Sequence, residues 1–174
     1  MYHIGEYVVY SIHGVCEISG IDRQKRSGSD VLYYVLSPQG SHGSRYFVPV
    51  DNDLAVSKMH SVLSKAEYEE IIRNLSNGEI PWEPDEQLRR EKYRIAVQTG
   101  DRKELLQLIG MLYLHKRSLV ASGRKFRIGD DAIFREAEKL ICSEISFVFG
   151  IDESSVADYI KSAIGLEENS DILT

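Results

Sequence analysis

The sequence predicts an α+β protein, with a small curled sheet or barrel first and a helical bundle after it. Residues 1–60 hold short runs of β-branched and aromatic residues between glycine- and proline-containing breakers. Residues 61–174 instead repeat apolar residues at helical spacing. A chain of 174 residues can hold one domain or two small ones, so we expect units at 1–60 and 61–174.

Four segments near the N-terminus are typical of strands, because they are rich in Val, Ile and Tyr or alternate apolar and polar residues. Breakers such as His13-Gly14 and Pro38-Gln39-Gly40 lie between them. Short strands joined by tight turns indicate a curled sheet or barrel, which would bind a partner through a sheet edge or loop. The four segments are residues 5–10, 14–21, 31–36 and 44–50.

The rest of the chain has helix signals at regular intervals. Ser64 and Glu67 have capping-box spacing, and Asp101 with Glu104 can cap a later helix. Gly100 and Gly150 follow helical patterns and are expected to end them. We expect about five helices and a frayed acidic tail from about residue 166. The predicted boundaries include Asn77-Gly78 as an end, Pro84 in a first turn, Asp130-Asp131 as a cap, 132–149 as a long helix and Ile164 as the last helical residue.

The stretch 82–94 combines the only tryptophan with a run of cations. At about 100° per residue, Leu88 and Ile95 point together and the cations point away from them. We therefore expect a helix that packs through these two residues and shows a basic face to solvent. Such a face is a candidate nucleic-acid surface, and its simpler interpretation is a solvated helix face with Trp82 in a core. The cations are Arg89, Arg90, Lys92 and Arg94.

The charge is unevenly distributed. The net charge of −6 argues against a general nucleic-acid binder. Residues 89–127 nevertheless hold 11 Lys or Arg against 3 Asp or Glu, and both flanking segments are acidic. A local positive field can steer an anionic partner, unless the segments neutralise one another on folding.

Several classes of protein are disfavoured. Cys16 and Cys142 are far apart and are typical of packed thiols in a reducing compartment. No apolar run reaches the roughly 18 residues that a membrane span needs, and the N-terminus does not resemble a secretory signal. The five histidines are scattered, and no phosphate-binding or nucleophile motif occurs. We expect a cytoplasmic protein that is not an enzyme, with no cofactor, no metal and no membrane contact.

The N-terminal pattern resembles a known domain. Gly5-x-x-Val8-Val9-Tyr10-x-x-His13-Gly14, then Tyr33-Tyr34-Val35-Leu36 and Tyr46-Phe47-Val48-Pro49-Val50, is similar to the RNA-polymerase-interacting domain of CarD-type transcription factors. This domain also occurs in the transcription-repair coupling factor. The resemblance implies a Tudor-like β-barrel that docks on the β subunit of bacterial RNA polymerase. The order of parts in the helical half is also similar to that family.

The resemblance implies two sets of contacts. Relatives often carry polymerase-contacting basic residues where this chain has Gln24 and Phe47, so the cations beside these positions could stand in. In the family a tryptophan wedges into the minor groove of promoter DNA near the melted region. The expected polymerase contacts are Arg23, Gln24, Lys25, Arg45 and Phe47, and the expected DNA contacts are Trp82, Arg89, Arg90, Lys92, Arg94, Lys116 and Arg117.

The resulting hypothesis is a transcription regulator that binds RNA polymerase and modulates the stability of the open complex. Its contact with promoter DNA would be weak, low in sequence specificity and salt-dependent, and the protein would be a monomer. Trp82 either reaches the groove or packs inside, and acids follow it at Glu83, Asp85 and Glu86. Those acids would repel phosphate, so the alternative is an adaptor on RNA polymerase without DNA binding. The role of loop 123–129 is open.

Overall fold

A computed structural model describes residues 1–26, 29–40, 43–76 and 82–163. It confirms the α+β class, since an antiparallel sheet of five strands precedes the main helices. Some predicted features lie outside the described residues: the break at Ser27-Gly28, the helix end at Asn77-Gly78, Ile164 and the acidic tail.

The sheet has the strand order β4-β3-β2-β1-β5. β5 has only three residues, too few to show a sequence pattern, and was not predicted. β2 continues well past the predicted end at residue 21 and forms a long hairpin with β3. The strands are β1 Tyr7–Tyr10, β2 Val15–Arg26, β3 Ser29–Pro38, β4 Tyr46–Pro49 and β5 Met59–Ser61.

The expected barrel is wrong, because the sheet is open. β4 and β5 lie at opposite edges, and within the described residues they do not pair with each other. Closing a barrel would require these two edge strands to share hydrogen bonds. β4 has four residues and β5 has three, and β5 is occupied by its pairing with β1.

One face of the sheet carries its own apolar core. Ile18, Tyr34, Leu36 and Val48 are buried on this face, with Met59 from β5. The register places Ile18 opposite Leu36 and Tyr34 opposite Val48, so these side chains share one side of the pleat. A bulge between Ile18 and Gly20 then brings Ile21 onto the same face.

Several helix ends form as predicted. The Ser64 backbone N–H donates to the Glu67 carboxylate at 2.7 Å, and the Glu67 N–H donates to the Ser64 hydroxyl at 3.3 Å. Asp101 accepts from the Glu104 N–H at 3.0 Å. Gly100 and Gly150 end their helices in the left-handed conformation. The helices are α1 Asp53–Val56, α2 Lys65–Ser76, α3 Glu86–Thr99, α4 Arg102–Ala121, α5 Ile128–Phe149 and α6 Glu153–Ala163.

The sheet and the helices share a second core. Val9 and Val15 face away from the first core and belong to one buried cluster with Leu105 of α4 and Ile141 of α5. Gly14 makes this contact close, because a Cβ there would lie 2.8 Å from Ser143 Oγ. None of the described helices is both long and apolar enough to cross a membrane.

Candidate functional site

The first candidate surface lies at β4, on the face of the sheet that carries Val9 and Val15 at β1 and β2. Tyr33, Val35 and Phe47 lie on this face, opposite to the apolar core. Tyr33 and Val35 are buried, whereas Phe47 is 44% exposed and meets the Tyr33 ring edge to face with centroids 6.4 Å apart. An exposed aromatic residue on a rigid strand is well suited to anchor a protein partner.

The free edge of β4 adds hydrogen-bonding groups to this surface. The Val50 N–H donates to the Leu32 carbonyl at 2.9 Å, so that pair is hydrogen-bonded across β3 and β4. Hydrogen-bonded and non-bonded pairs alternate in an antiparallel ladder, which makes Phe47 and Val35 a non-bonded pair. The N–H and C=O of Phe47 therefore point away from β3, towards an edge that no described strand covers.

The other expected polymerase contacts are divided between two faces. The second strand was predicted to end at residue 21, but Arg23, Gln24 and Lys25 lie within β2. Gln24 is opposite Val31 and shares the face of Phe47, whereas Arg23 and Lys25 alternate to the other face. Arg23, Gln24 and Lys25 are exposed.

Arg45 lies immediately before β4 and is exposed. It is therefore the expected basic contact closest along the chain to Phe47. Within the described residues, Arg45 has no ion-pair partner, and neither has Arg23 or Lys25. These three cations are thus available to an acidic partner surface.

The second candidate surface was predicted on α3, with Leu88 and Ile95 packed inside and the cations facing solvent. That predicted orientation is wrong. Leu88 and Ile95 are 50% and 46% exposed, while Arg89 is fully buried. The helix begins at Glu86, with Asp85 as its N-cap, so Pro84 precedes the first turn. Arg89 is consequently not available at the surface.

Arg89 is buried because Asp130 of α5 neutralises it. The guanidinium donates to both carboxylate oxygens, from Nε at 2.8 Å and from Nη2 at 2.7 Å, and from Nη1 to the Glu83 carbonyl at 2.7 Å. Asp130 was expected to cap α5, but α5 begins at Ile128 and Asp130 is 1% exposed within its first turn. A bidentate pair with a further acceptor satisfies a buried guanidinium.

Trp82 packs against this ion pair. Its ring lies 4.4 Å from the Arg89 guanidinium carbon and stacks on His115, with centroids 3.5 Å apart and planes 16° from parallel. Burial lowers the pKa of His115, although the nearby Asp130 carboxylate acts in the opposite direction. Trp82 is half-buried and thus serves as a packing residue here, while its insertion into DNA stays a prediction.

The exposed cations of α3 are each paired with a neighbouring acid. Arg90 bonds to Glu86 at 3.0 Å and Arg94 bonds to Glu91 at 2.6 Å. Lys92 lies 3.5 Å from Glu83. Over 82–94 there are four cations and four acids, so this stretch carries no net charge. The expected basic face is therefore largely neutralised by acids on α3 and just before it.

The two predicted cations at the end of α4 differ from each other. The Lys116 ammonium is 3.0 Å from Asp131 and lies over the rings of Phe126 and Phe134. Arg117 is exposed, and no described carboxylate pairs with it. Of the seven expected DNA contacts, Arg117 alone is both exposed and without a described partner.

A second buried ion pair was missed by sequence analysis. Arg102 Nε donates to Glu144 at 2.8 Å, and Glu144 also accepts from the Leu63 backbone N–H at 3.0 Å. Arg102 and Glu144 are 42 residues apart, and no local pattern indicates the pairing. Among the described residues, no group of His, Cys, Asp and Glu is arranged to hold a metal ion.

The comparison with known families identifies the N-terminal part. Residues 2–60 match the family model described as the CarD-like/TRCF RID domain. This confirms the resemblance read from the sequence over those residues, which include β1 to β4. No curated protein matches the chain. The match supports RNA polymerase as a partner and a role in transcription.

Proposed function

We propose that this protein is a non-enzymatic bacterial transcription regulator. Its sheet binds the β subunit of RNA polymerase, and its helical part contacts upstream promoter DNA and thereby changes the stability of the open complex. It acts as a monomer in the cytoplasm. The observation that carries the proposal is the match of residues 2–60 to the CarD-like/TRCF RID domain.

The polymerase contact is proposed at the free edge of β4. The outward N–H and C=O of Phe47 can extend the sheet onto a strand of the partner, a mode in which main-chain hydrogen bonds provide affinity. The Phe47 ring supplies an anchor beside this edge. Arg45, which has no ion-pair partner in the described part of the chain, adds a cation next to it and favours an acidic partner surface.

The DNA contact is proposed to be weak by itself. Phosphate contacts from surface cations are strongly salt-dependent and carry little sequence information. Binding to RNA polymerase would hold the helical part near the promoter and raise the effective concentration of DNA. A contact too weak to measure with free DNA could then prolong the lifetime of an open complex.

A second candidate is an adaptor that binds RNA polymerase without touching DNA. One observation favours it: the exposed cations of α3 are paired with Glu86, Glu83 and Glu91. Footprinting the polymerase-promoter complex with and without the protein separates the two candidates. Added protection upstream of the melted region supports the regulator, and an unchanged footprint with retained polymerase binding supports the adaptor.

The polymerase contact is tested by co-elution of the full chain with RNA polymerase or with the isolated lobe of its β subunit. Phe47→Ala removes the ring, and Phe47→Pro also removes the outward N–H, which β3 does not use. Val120→Ala is the matched control, since Val120 is an exposed apolar residue on α4. We expect Val120→Ala to bind RNA polymerase like the unmodified protein. Phe47→Ala should bind more weakly, and Phe47→Pro most weakly.

Far-UV circular dichroism checks that each variant is folded. If the unmodified protein fails to co-elute with either polymerase preparation, the proposed function is wrong. If it co-elutes and both Phe47 variants bind as well as the Val120 variant, the partner is correct but the β4 edge is not the contact.

A further inference from the structure

A group of surface cations lies at the end of the bundle where α4 joins α5. Residues 114–129 hold five Lys or Arg and no Asp or Glu. Arg117, Arg124 and Lys125 are exposed, and no carboxylate among the described residues pairs with them. Arg127 reaches only Glu86, at 3.6 Å. This end of the molecule differs in charge from the neutral stretch 82–94.

The backbone that carries these cations is held in place. Gly123 has a φ of 68°, its N–H donates to the Val120 carbonyl at 3.0 Å, and the Arg124 N–H donates to the Leu119 carbonyl at 2.8 Å. These two bonds form a Schellman motif, which ends α4 and fixes where Arg124 leaves the helix. The Ser122 hydroxyl adds a bond to the Leu119 carbonyl at 2.9 Å.

Aromatic packing supports the next part of the connection. Phe126 packs against a core cluster that contains Leu112 and Phe134. The ring centroids of His115 and Phe126 are 6.4 Å apart. His115 also stacks on Trp82, whose ring contacts Arg89 of the buried ion pair. Arg124 and Lys125 thus stand on a connection anchored at both ends, which lowers the entropy lost when a ligand binds.

The start of α5 lies beside the same cations. Arg127 occupies the N-cap position, and no side chain caps the helix. The first N–H groups of this 22-residue helix carry positive partial charge, which Asp130 and Asp131 of the first turn offset. Both carboxylates are engaged, Asp130 with Arg89 and Asp131 with Lys116 and Arg135. Ile128, which follows, is 90% exposed and offers an apolar contact at the edge of the region.

We infer that the connection between α4 and α5, and not α3, is the surface that binds the phosphate backbone of duplex DNA. We call it the connection surface: Arg117, Arg124, Lys125, Arg127 and Ile128. The inference rests on the proposed function for the presence of DNA near the helical part. Its own basis is that a free cation can neutralise a phosphate at once, whereas a paired cation must first leave its carboxylate.

The test uses the full chain in an RNA polymerase-promoter complex. The measured quantity is the factor by which the protein prolongs open-complex lifetime, plotted against salt concentration on logarithmic axes. Arg124→Gln/Lys125→Gln alters the connection surface, and Arg90→Gln/Arg94→Gln alters the rival surface on α3. Lys103→Gln/Lys139→Gln is the matched control, because both lysines are exposed and have no described ion pair.

We expect Arg124→Gln/Lys125→Gln to make the salt slope shallower, reducing its magnitude by roughly 2, since each phosphate contact contributes about 0.9 on B-DNA. The other two double variants should keep the slope of the unmodified protein. Co-elution with RNA polymerase should be unchanged in all three, which would show that the loss concerns DNA.

Three results would overturn the inference. A slope lowered by the α3 variant and kept by the connection variant would place the contact on α3 and leave the proposed function intact. Equal slopes for all variants would exclude both surfaces. Loss of polymerase co-elution in Arg124→Gln/Lys125→Gln would mean that the connection binds an acidic protein surface.

If the unmodified protein leaves open-complex lifetime unchanged while still co-eluting, the DNA part of the proposed function itself fails.

Discussion

The buried pair between Arg89 and Asp130 permits a sharp prediction about stability. Asp130→Asn keeps the shape of the side chain, removes its charge and replaces one acceptor oxygen by an NH2 group. Arg89 cannot respond by losing its proton, because a guanidinium stays charged in proteins. The substitution therefore leaves a fully buried cation without its counter-charge.

The expected cost follows from that burial. Both side chains are at most 1% exposed, so solvent cannot replace the lost partner. Breaking one side of such a pair costs about 3–5 kcal/mol of folding free energy. For a chain of this size, that corresponds to a fall of roughly 6–20 °C in Tm. Urea denaturation can be followed by the fluorescence of Trp82, which lies over the Arg89 guanidinium.

Two further variants complete the experiment. Glu91→Gln removes an exposed partner of Arg94 and should leave the denaturation midpoint unchanged, because solvent screens that pair. Arg89→Met/Asp130→Leu removes both charges and should recover most of the stability lost in Asp130→Asn. If Asp130→Asn unfolds at the same urea concentration as Glu91→Gln, the buried pair does not stabilise the fold.

Three other variants test neighbouring contacts. Glu144→Gln leaves the buried Arg102 uncompensated, so its urea midpoint should fall about as far as that of Asp130→Asn. Burial lowers the pKa of His60 below its usual 6.5, so at mildly acidic pH the unfolded chain binds a proton at His60 more readily than the folded chain does. Stability should therefore fall as the pH drops below 6.5. His60→Gln should therefore show a smaller loss of urea midpoint between about pH 7.5 and 5.5 than the unmodified protein. Trp82→Ala should cost roughly 2 kcal/mol, less than for a fully buried tryptophan, and should raise the pKa of His115 measured by NMR because its ring is uncovered.

Local sequence signals predicted most of the elements but not how the sheet is assembled. Capping residues and glycines act within a few positions, so the helix ends predicted from Ser64 with Glu67, Asp101, Gly100 and Gly150 are confirmed. Whether a sheet closes depends on pairing between distant strands. β5 is three residues long and pairs with β1, some 50 positions earlier in the chain, and no short-range pattern indicates this.

The same limit explains the error on α3. Helical spacing correctly separated Leu88 and Ile95 from the cations, but it does not show which side faces the core. Hydrophobicity favoured burying Leu88, whereas Asp130 of α5 offers Arg89 an acceptor 41 residues away. Once that pair forms, Arg89 and Ala96 point inward and the helix turns Leu88 and Ile95 towards solvent.

The join between sheet and helices bears on how a weak DNA contact could act. Val9 and Val15 of the sheet lie in one core with the helices, and Arg102 donates from α4 to the Ser61 carbonyl of β5 at 3.4 Å. Two surfaces on parts linked by a flexible segment would sample many relative orientations, and each binding event would cost entropy. A shared core removes much of that cost, so a sheet bound to RNA polymerase would present the connection surface in one direction. If the proposed DNA contact exists, the local concentration of DNA at that surface would depend on where the polymerase places the duplex, and a few phosphate contacts would suffice.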